Sequence, residues 1–266
     1  MIPQLNIAKS ATFALERQMQ VISDNIANVS TVGHKAQSMQ FENMFPIVFE
    51  RVIAEFDEEG QGKGKTRKTY NEMGQGVHIS QIVKNMQQGT IEVTNQPLDL
   101  AVQGNGFLQF RLPEGAIAYS RAGNLHQDKD GNVLSPGGYP LEPPIRIPQN
   151  TTNIIVNDQG RVYVQLSGDP NPQEIGQVTL AIFQNPEGVR EIGQNLYVQT
   201  EASGDASLQE PGSEAAGTIR QRSLEFSNVN IVEELLQMMV VQRSFDIAVK
   251  AIKASDKILQ TGADIK

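Results

Sequence analysis

A glycine- and lysine-rich stretch, Gly60–Thr66, has the residue types of a phosphate-binding loop. In such loops backbone N–H groups and a lysine hold the phosphates, and the pattern requires a glycine five residues before the one that precedes the lysine. Glu59 occupies that position, no apolar strand leads into the stretch, and no helical pattern follows it. A hydrolase or nucleotide-dependent factor stays the minor alternative, which nucleotide binding that is lost on Lys65→Ala would support.

Asp128, Asp130 and Asn132 have the spacing that opens a calcium-binding loop. Such a loop needs a glycine at its sixth position and a glutamate at its twelfth. Val133 and Tyr139 stand there instead. A hairpin turn at the Asp-Gly pair explains these residues better than a metal does.

The remaining chemistry-bearing side chains are scattered. His34, His78 and His126 lie in unrelated segments without paired ligand spacing. No serine occupies a Gly-x-Ser-x-Gly elbow, and the carboxylates cannot be paired from spacing alone. We therefore predict no catalytic residue, no cofactor and no metal, and a chain that is not an enzyme.

The composition excludes further classes. The formal net charge of −8 argues against nucleic acid as a partner, because phosphate binding calls for a basic face. No apolar run approaches the length of a membrane span, and the N-terminus lacks the layout of a cleaved signal peptide. Cysteine is absent, so disulfides and thiol chemistry contribute nothing.

Both ends of the chain carry apolar residues at alternating steps of three and four, which predicts two long helices. Pro3 suits the first turn of the N-terminal helix, and Ser30–Gly33 ends it. Asn230 with Glu233 forms a capping box for the C-terminal helix, and Thr261-Gly262 ends it. The predicted packing residues are Leu5, Leu15, Met19, Ile22, Ile26, Val29, Ile231, Leu235, Met238, Phe245, Val249, Ile252 and Leu259.

Two interpretations of these stripes stay open. The simpler one pairs the two helices within one molecule and closes a single domain. The other adds packing against further copies of the chain, because side chains such as Leu236 and Met239 widen the apolar surface beyond a two-helix seam. On that interpretation we expect termini that are mobile in a monomer and ordered in a polymer.

The middle of the chain changes to period-two alternation from Val77 onward, with turn residues at Asp130-Gly131 and Gln159-Gly160. This pattern predicts an α+β protein in which an antiparallel β domain is inserted between terminal heptad helices that pack together as in a coiled coil. Polar Glu50–Gly76 has an acidic block before a basic one, which favours contact with a neighbour bearing the opposite pattern; a solvated loop is the preferred interpretation. The expected domains are 1–45 with 220–266 (helical), 46–76 (extended) and 77–219 (mainly antiparallel β).

Three stretches, Ser23–Lys35, Pro97–Phe107 and Ser227–Asn230 with the residues after it, resemble the bacterial flagellar rod and hook (axial) protein family. The similarity covers nearly the whole chain, and the motifs occur in the family's order. His34 departs from the pattern, since the family usually has an aromatic residue there. The motif residues are Asn25, Asn28, Ser30, Gly33, Lys35, Asn228, Asn230, Glu234 and Arg243.

The resemblance implies a structural subunit of a hollow helical homopolymer, with terminal helices as inner tube and the β domain as outer layer. Details such as Ile192–Tyr197 favour a distal rod subunit that transmits torque to the hook; a proximal rod or hook-type subunit is the alternative. The implied partners are copies of itself, proximal rod proteins, hook protein and the surrounding P and L rings. The implied route is flagellar type III export to a basal body that spans periplasm to outer membrane.

Overall fold

The computed structural model describes residues 3–56, 62–168 and 171–264. Its helices are α1 (Pro3–Ala27) and α2 (Ile231–Asp264), and one 3-10 turn covers Pro186–Gly188. The strands are β1 (Gln37–Asn43), β2 (Ile47–Phe56), β3 (Gly62–Met73), β4 (Val77–Lys84), β5 (Ile91–Val93), β6 (Leu100–Gln103), β7 (Leu108–Arg111), β8 (Ile117–Ser120), β9 (His126–Gln127), β10 (Val133–Leu134), β11 (Leu141–Glu142), β12 (Thr151–Val156), β13 (Arg161–Leu166), β14 (Gln173–Gln177), β15 (Leu180–Ile182), β16 (Arg190–Gly193), β17 (Leu196–Val198), β18 (Ser207–Gln209), β19 (Thr218–Gln221) and β20 (Ser223–Glu225).

The chain forms two compact units. One unit combines Met1–Asp24, Ser38–Val83 and Val232–Lys266, and the other combines Asn25–Gln37 with Lys84–Ile231. The predicted α+β class is confirmed, because helices occupy both ends of the described chain and antiparallel strand pairs lie between them in the sequence. The division into the predicted domains stays a prediction.

The first unit contains nearly all of both helices. α2 has 34 residues, so it is about 50 Å long. Ala14, Ile22 and Val241 are buried, which places apolar side chains of both helices in the interior of this unit. The predicted start of α2 after Asn230 is confirmed, whereas the predicted end at Thr261-Gly262 is wrong, since the helix continues to Asp264. Neither helix in the described part of the chain combines the length and apolarity of a membrane span.

The segment that was expected to be a solvated loop is instead largely a hairpin. β2 and β3 pair antiparallel, with Ile47 opposite Met73 and Phe56 opposite Gly62. β-Branched and aromatic residues in β2 explain the pairing, because such residues favour strands. The candidate phosphate loop is therefore not a loop over 62–66, which lies in β3; residues 60–61, and the acidic residues 57–59, lie outside the described chain.

The second unit is built from antiparallel sheets. The largest has the strand order β11-β7-β8-β17-β16, and β12-β13-β14 form another. Aliphatic side chains and Phe110 fill one core, while Phe107, Tyr119 and Phe183 form an aromatic cluster with edge-to-face rings. Asn25, Gly33, Lys35 and Asn228 of the motifs belong to the same unit as these cores.

Most of the predicted strand and turn pattern is found in this unit. The turns at Asp130-Gly131 and Gln159-Gly160 connect β9 to β10 and β12 to β13, with both glycines at positive φ. Two short strands, β19 and β20, follow one another at the end of this unit. The break lies at Arg222, whose φ of 57° is incompatible with a continuous strand.

Candidate functional site

The N-terminal motif folds back on the end of α1. Asn25 is 1% exposed, and its side chain pairs with the backbone of Gln37 like a neighbouring strand. Its Nδ2 donates to the Gln37 carbonyl at 2.9 Å, and its Oδ1 accepts from the Gln37 N–H at 2.8 Å. Between them, the Thr31 N–H donates to the Asn28 carbonyl at 3.1 Å. One buried amide thus closes the loop that follows α1.

The C-terminal motif reaches the same loop through Asn228. The Ala36 N–H donates to Asn228 Oδ1 at 2.8 Å, while Asn228 Nδ2 donates to the carbonyls of Asn85 and Gln87 at 2.9 and 3.0 Å. A single side chain therefore joins three segments that are remote in sequence. Its position two residues before Asn230 places this joint just ahead of α2.

Buried charges complete the joint. Lys35 Nζ lies 2.6 Å from Glu225 Oε1 and donates to the Gln87 carbonyl at 2.6 Å. Arg121 Nη1 lies 3.4 Å from Glu225 Oε2, and the Gly89 N–H donates to Glu225 Oε1 at 2.9 Å. We call Asn25, Lys35, Arg121, Glu225 and Asn228 the terminal junction.

The electrostatics of the terminal junction are uneven, because two cations share one carboxylate. Burial lowers the pKa of Lys35, and attraction to Glu225 opposes that shift. Arg121 also lies over the Phe107 ring, 5.0 Å from its centroid, which adds a cation–π contact. Burial raises the pKa of nearby Tyr197 to about 12, so its phenol is neutral and cannot balance the surplus positive charge.

Close backbone approach explains the glycine of the N-terminal motif. Gly33 has φ of 71°, and its N–H donates to the Glu225 carbonyl at 2.8 Å. A Cβ at this position would lie 2.5 Å from the Ala122 nitrogen. Only glycine combines this conformation with this contact.

Among the predicted packing residues, burial varies widely. Ile22 is buried, Ile231 and Leu235 are exposed, and the side chains of Leu5 and Leu259 lie outside the described part of the chain. The remaining ones are half-buried: Leu15, Met19, Ile26, Val29, Met238, Phe245, Val249 and Ile252. Their role in packing between copies stays a prediction.

Of the motif residues, the structure brings Asn25, Gly33, Lys35 and Asn228 together. Ser30, Asn230 and Arg243 are exposed elsewhere, and Glu234 is half-buried on α2. The sequence did not identify Glu225 or Arg121, because nothing in their local pattern distinguishes them from surface charges.

The residues that resembled a calcium loop are engaged in their own turn. Asp128 Oδ1 accepts from the N–H groups of Asp130 and Asn132 at 2.8 Å each. The Asn132 side chain donates to Asp128 Oδ2 at 2.9 Å, and this bond is the main cause of a lowered Asp128 pKa. Within the described residues, no three acidic or histidine side chains gather as metal ligands. The carboxylate therefore caps a hairpin.

The terminal junction can bind chain segments together but can act on no substrate, because Lys35 and Glu225 are at most 1% exposed.

Three models of protein families match the chain, and all three describe one class of protein. "Flagella basal body rod protein" matches residues 5–35, "Flagellar hook protein FlgE/F/G D1 domain" matches 101–164, and "Flagellar basal body rod FlgEFG protein C-terminal" matches 220–265. The class is thus that of flagellar rod and hook proteins.

Similarity to individual proteins over the full length shows which member of this class the chain resembles. The chain is 37% identical over 262 residues to the flagellar basal-body rod protein FlgG of Caulobacter vibrioides, covering 98% of each chain. It is 33% identical to FlgG of Borreliella burgdorferi, covering 100% of this chain and 99% of the other, and 32% identical to FlgG of Bacillus subtilis, covering 94% of each. The chain belongs to the family of the flagellar basal-body rod protein FlgG.

Proposed function

We propose that this chain is a structural subunit of the bacterial flagellar distal rod and polymerises into a hollow helical shaft that transmits torque to the hook. Full-length similarity to proteins named flagellar basal-body rod protein FlgG supports this role over a proximal rod or hook-type subunit. The proposed location is the basal body, from periplasm to outer membrane, reached by flagellar type III export. The proposed neighbours are proximal rod proteins, hook protein and the P and L rings.

The proposed polymerisation rests on one observation, which is that one side of α2 exposes apolar side chains. Leu236, Val240 and Ile247 are 53%, 64% and 66% exposed. At about 100° per residue they lie roughly 100–140° around the helix from buried Val241, so they form a face of their own. Further exposed apolar residues of α2 are Ile231, Val232, Leu235 and Met239.

This face supplies the driving force for assembly. Covering the exposed halves of these side chains contributes on the order of 5–10 kcal/mol gross per copy. Exposed apolar patches of this kind mark interaction sites. A face that binds a different face of the next copy generates a helical polymer when the rotation from copy to copy does not close into a ring.

No reacting group is needed for this role. The buried cations and carboxylate of the terminal junction hold the end of α1 and the residues before α2 against the same β unit. Shaft stiffness then follows from many packed contacts between rigid copies. Because the proposed role needs no reacting group, we propose that the chain is not an enzyme.

A matched set of α2 variants tests the proposal. Leu236→Asp and Ile247→Asp place charge on the exposed apolar face, whereas Gln237→Asp places it on another exposed side of the same helix. We expect the first two to keep the wild-type circular dichroism and melting temperature as dilute monomers, to lose sedimenting polymer, and to fail to restore swimming in cells that lack the chain. Gln237→Asp should behave as wild type.

Wild-type polymer and swimming with both Asp variants of the apolar face would overturn the proposed polymerisation. Labelling within isolated basal bodies separates the subunit types, because a signal confined to the proximal rod or the hook would favour the alternative subunit.

A further inference from the structure

The second half of α2 carries a row of exposed cations. Arg243, Lys250, Lys253 and Lys257 are all exposed, and at about 100° per residue they fall within a sector of roughly 80° of the helix surface. Between Arg243 and Lys257, Asp246 is the one acidic residue inside this sector, so the formal charge of this part of the helix surface is positive. We call these four cations the basic stripe.

The basic stripe has no counterion in the described chain. The ion pairs of the described residues are formed by cations outside the basic stripe, and the charged groups of the four stripe residues form no ion pair or side-chain hydrogen bond there. The whole chain has a formal net charge of −8. The positive charge of the basic stripe is therefore opposite in sign to the net charge of the chain, and acidic parts of another copy could bind it.

The second unit contains an acidic stretch of sequence. Between Arg190 and Arg220 the sequence contains no lysine or arginine, and Glu201, Asp205, Glu210 and Glu214 in this stretch are all exposed. We call these four carboxylates the acidic segment.

The backbone of the acidic segment is ordered. β18 pairs with β15, and the Gly212 N–H donates to the Gly217 carbonyl at 2.8 Å. The carboxylates are therefore presented from a fixed scaffold, and none of them forms an ion pair within the described residues.

We propose that the basic stripe of one copy binds the acidic segment of a second copy. This inference rests on the proposed polymerisation and names a contact that orients it. The two surfaces are different parts of the same chain, so the contact is heterologous and repeats along a polymer. Complementary charge mainly directs encounter and register, while apolar burial supplies affinity. The stripe follows the exposed apolar residues along α2, so the two contributions act on consecutive parts of one helix.

Charge reversal in the full-length chain tests this contact. Lys250→Glu with Lys253→Glu should raise the protein concentration for half-maximal polymerisation several-fold at low salt, because like charges then face each other. Wild-type polymerisation should weaken as NaCl is raised past the concentration where the screening length falls below about 10 Å. The control pair Lys129→Glu with Arg146→Glu makes the same change in net charge at exposed positions outside the stripe and should leave polymerisation near wild type.

Rescue identifies the acidic partner. Adding Glu210→Lys and Glu214→Lys to the reversed stripe should restore polymerisation, whereas either reversal alone impairs it. Dilute monomers of all variants should melt at the wild-type temperature, because the contact joins copies and not parts of one chain.

Three results would overturn the contact: unimpaired polymerisation by the reversed stripe, a failure of the added lysines to rescue, or a shift in monomer melting that marks a contact within the chain. Each of these leaves the proposed rod function standing as long as wild type polymerises. A wild-type chain that never polymerises at any salt concentration would instead count against the proposed function itself.

Discussion

Lys35 and Glu225 lie 190 residues apart in the sequence, yet the ammonium nitrogen of one is 2.6 Å from a carboxylate oxygen of the other in the interior of the protein. The same carboxylate also faces Arg121 at 3.4 Å. One buried anion therefore balances two buried cations, and the chain segments beside both helices depend on it. Several expected outcomes follow from this imbalance and from the packing around it.

Glu225→Gln should destabilise the second unit strongly. The substitution keeps the shape of the side chain but leaves Lys35 and Arg121 buried without an anion, and removing one partner of a buried pair costs about 3–5 kcal/mol. Urea unfolding followed by tyrosine fluorescence measures the loss, because the chain has no tryptophan and four tyrosines, Tyr119, Tyr139, Tyr163 and Tyr197, lie in this unit.

Lys35→Met is the matched control for that experiment. It removes the surplus cation and leaves Arg121 paired with Glu225, and the Gln87 carbonyl keeps its hydrogen bond from Asn228 Nδ2, so its main cost is the loss of the hydrogen bonds that the ammonium donates, about 1.5–3 kcal/mol. If Glu225→Gln proved no more costly than Lys35→Met, the charge imbalance would not govern the junction.

Stability should rise with pH on the approach to pH 10. Burial lowers the pKa of Lys35 below its ordinary 10.5, so the folded chain releases this proton at a lower pH than the unfolded chain does. The free energy of unfolding therefore increases with pH between those two pKa values. Melting temperatures of wild type and Lys35→Met at increasing pH below 10.5 measure this, and the variant should lack the part of the slope that the lysine contributes.

Above pH 10 the trend should reverse. The pKa of Tyr197 is raised to about 12, so the folded chain keeps a proton that the unfolded chain loses from pH 10 upward, and stability falls there. Tyr197→Phe should weaken this fall. If the stability of Tyr197→Phe fell equally steeply above pH 10, groups other than Tyr197 would be the cause of the fall.

Gly33→Ala should cost more than an ordinary substitution of a turn glycine. A Cβ would lie 2.5 Å from the Ala122 backbone nitrogen, and the residue has φ of 71°. Strain and clash together should cost at least about 2–3 kcal/mol. Gly115→Ala is the control, because its φ of 82° carries similar strain with nothing within 4 Å of the added Cβ. Equal unfolding free energies for the two variants would remove the clash from the explanation.

Asn25→Asp should open the loop that follows α1. The carboxylate would still accept from the Gln37 N–H but could not donate to the Gln37 carbonyl, which lies 2.9 Å from Nδ2. An unmet buried carbonyl costs about 1–3 kcal/mol, and a buried carboxylate adds to that. Hydrogen exchange at the amides of residues 28–37 should speed up while the amides of β13 exchange as in wild type.

The terminal helices and the strand-and-turn pattern could be predicted because both depend on short-range periodicity. Apolar steps of three and four specify a helix, and Asp130-Gly131 specifies a turn, without reference to remote residues. The hairpin of β2 and β3 was not predicted, because it depends on pairing between strands and not on a pattern within a few residues. The polar composition of β3 favours a loop, and pairing with β2 overrides it.

The candidate site divides in the same way. Asn25, Lys35 and Asn228 could be selected because they lie in motifs that resemble a known family, whereas Glu225 and Arg121 have no local signature. By itself the sequence determined two apolar helical ends around a β region, since each pattern is written within a few residues. Only the tertiary structure decided which carboxylate meets Lys35 and which side of α2 stays exposed, because burial and pairing depend on segments that folding brings together from across the chain.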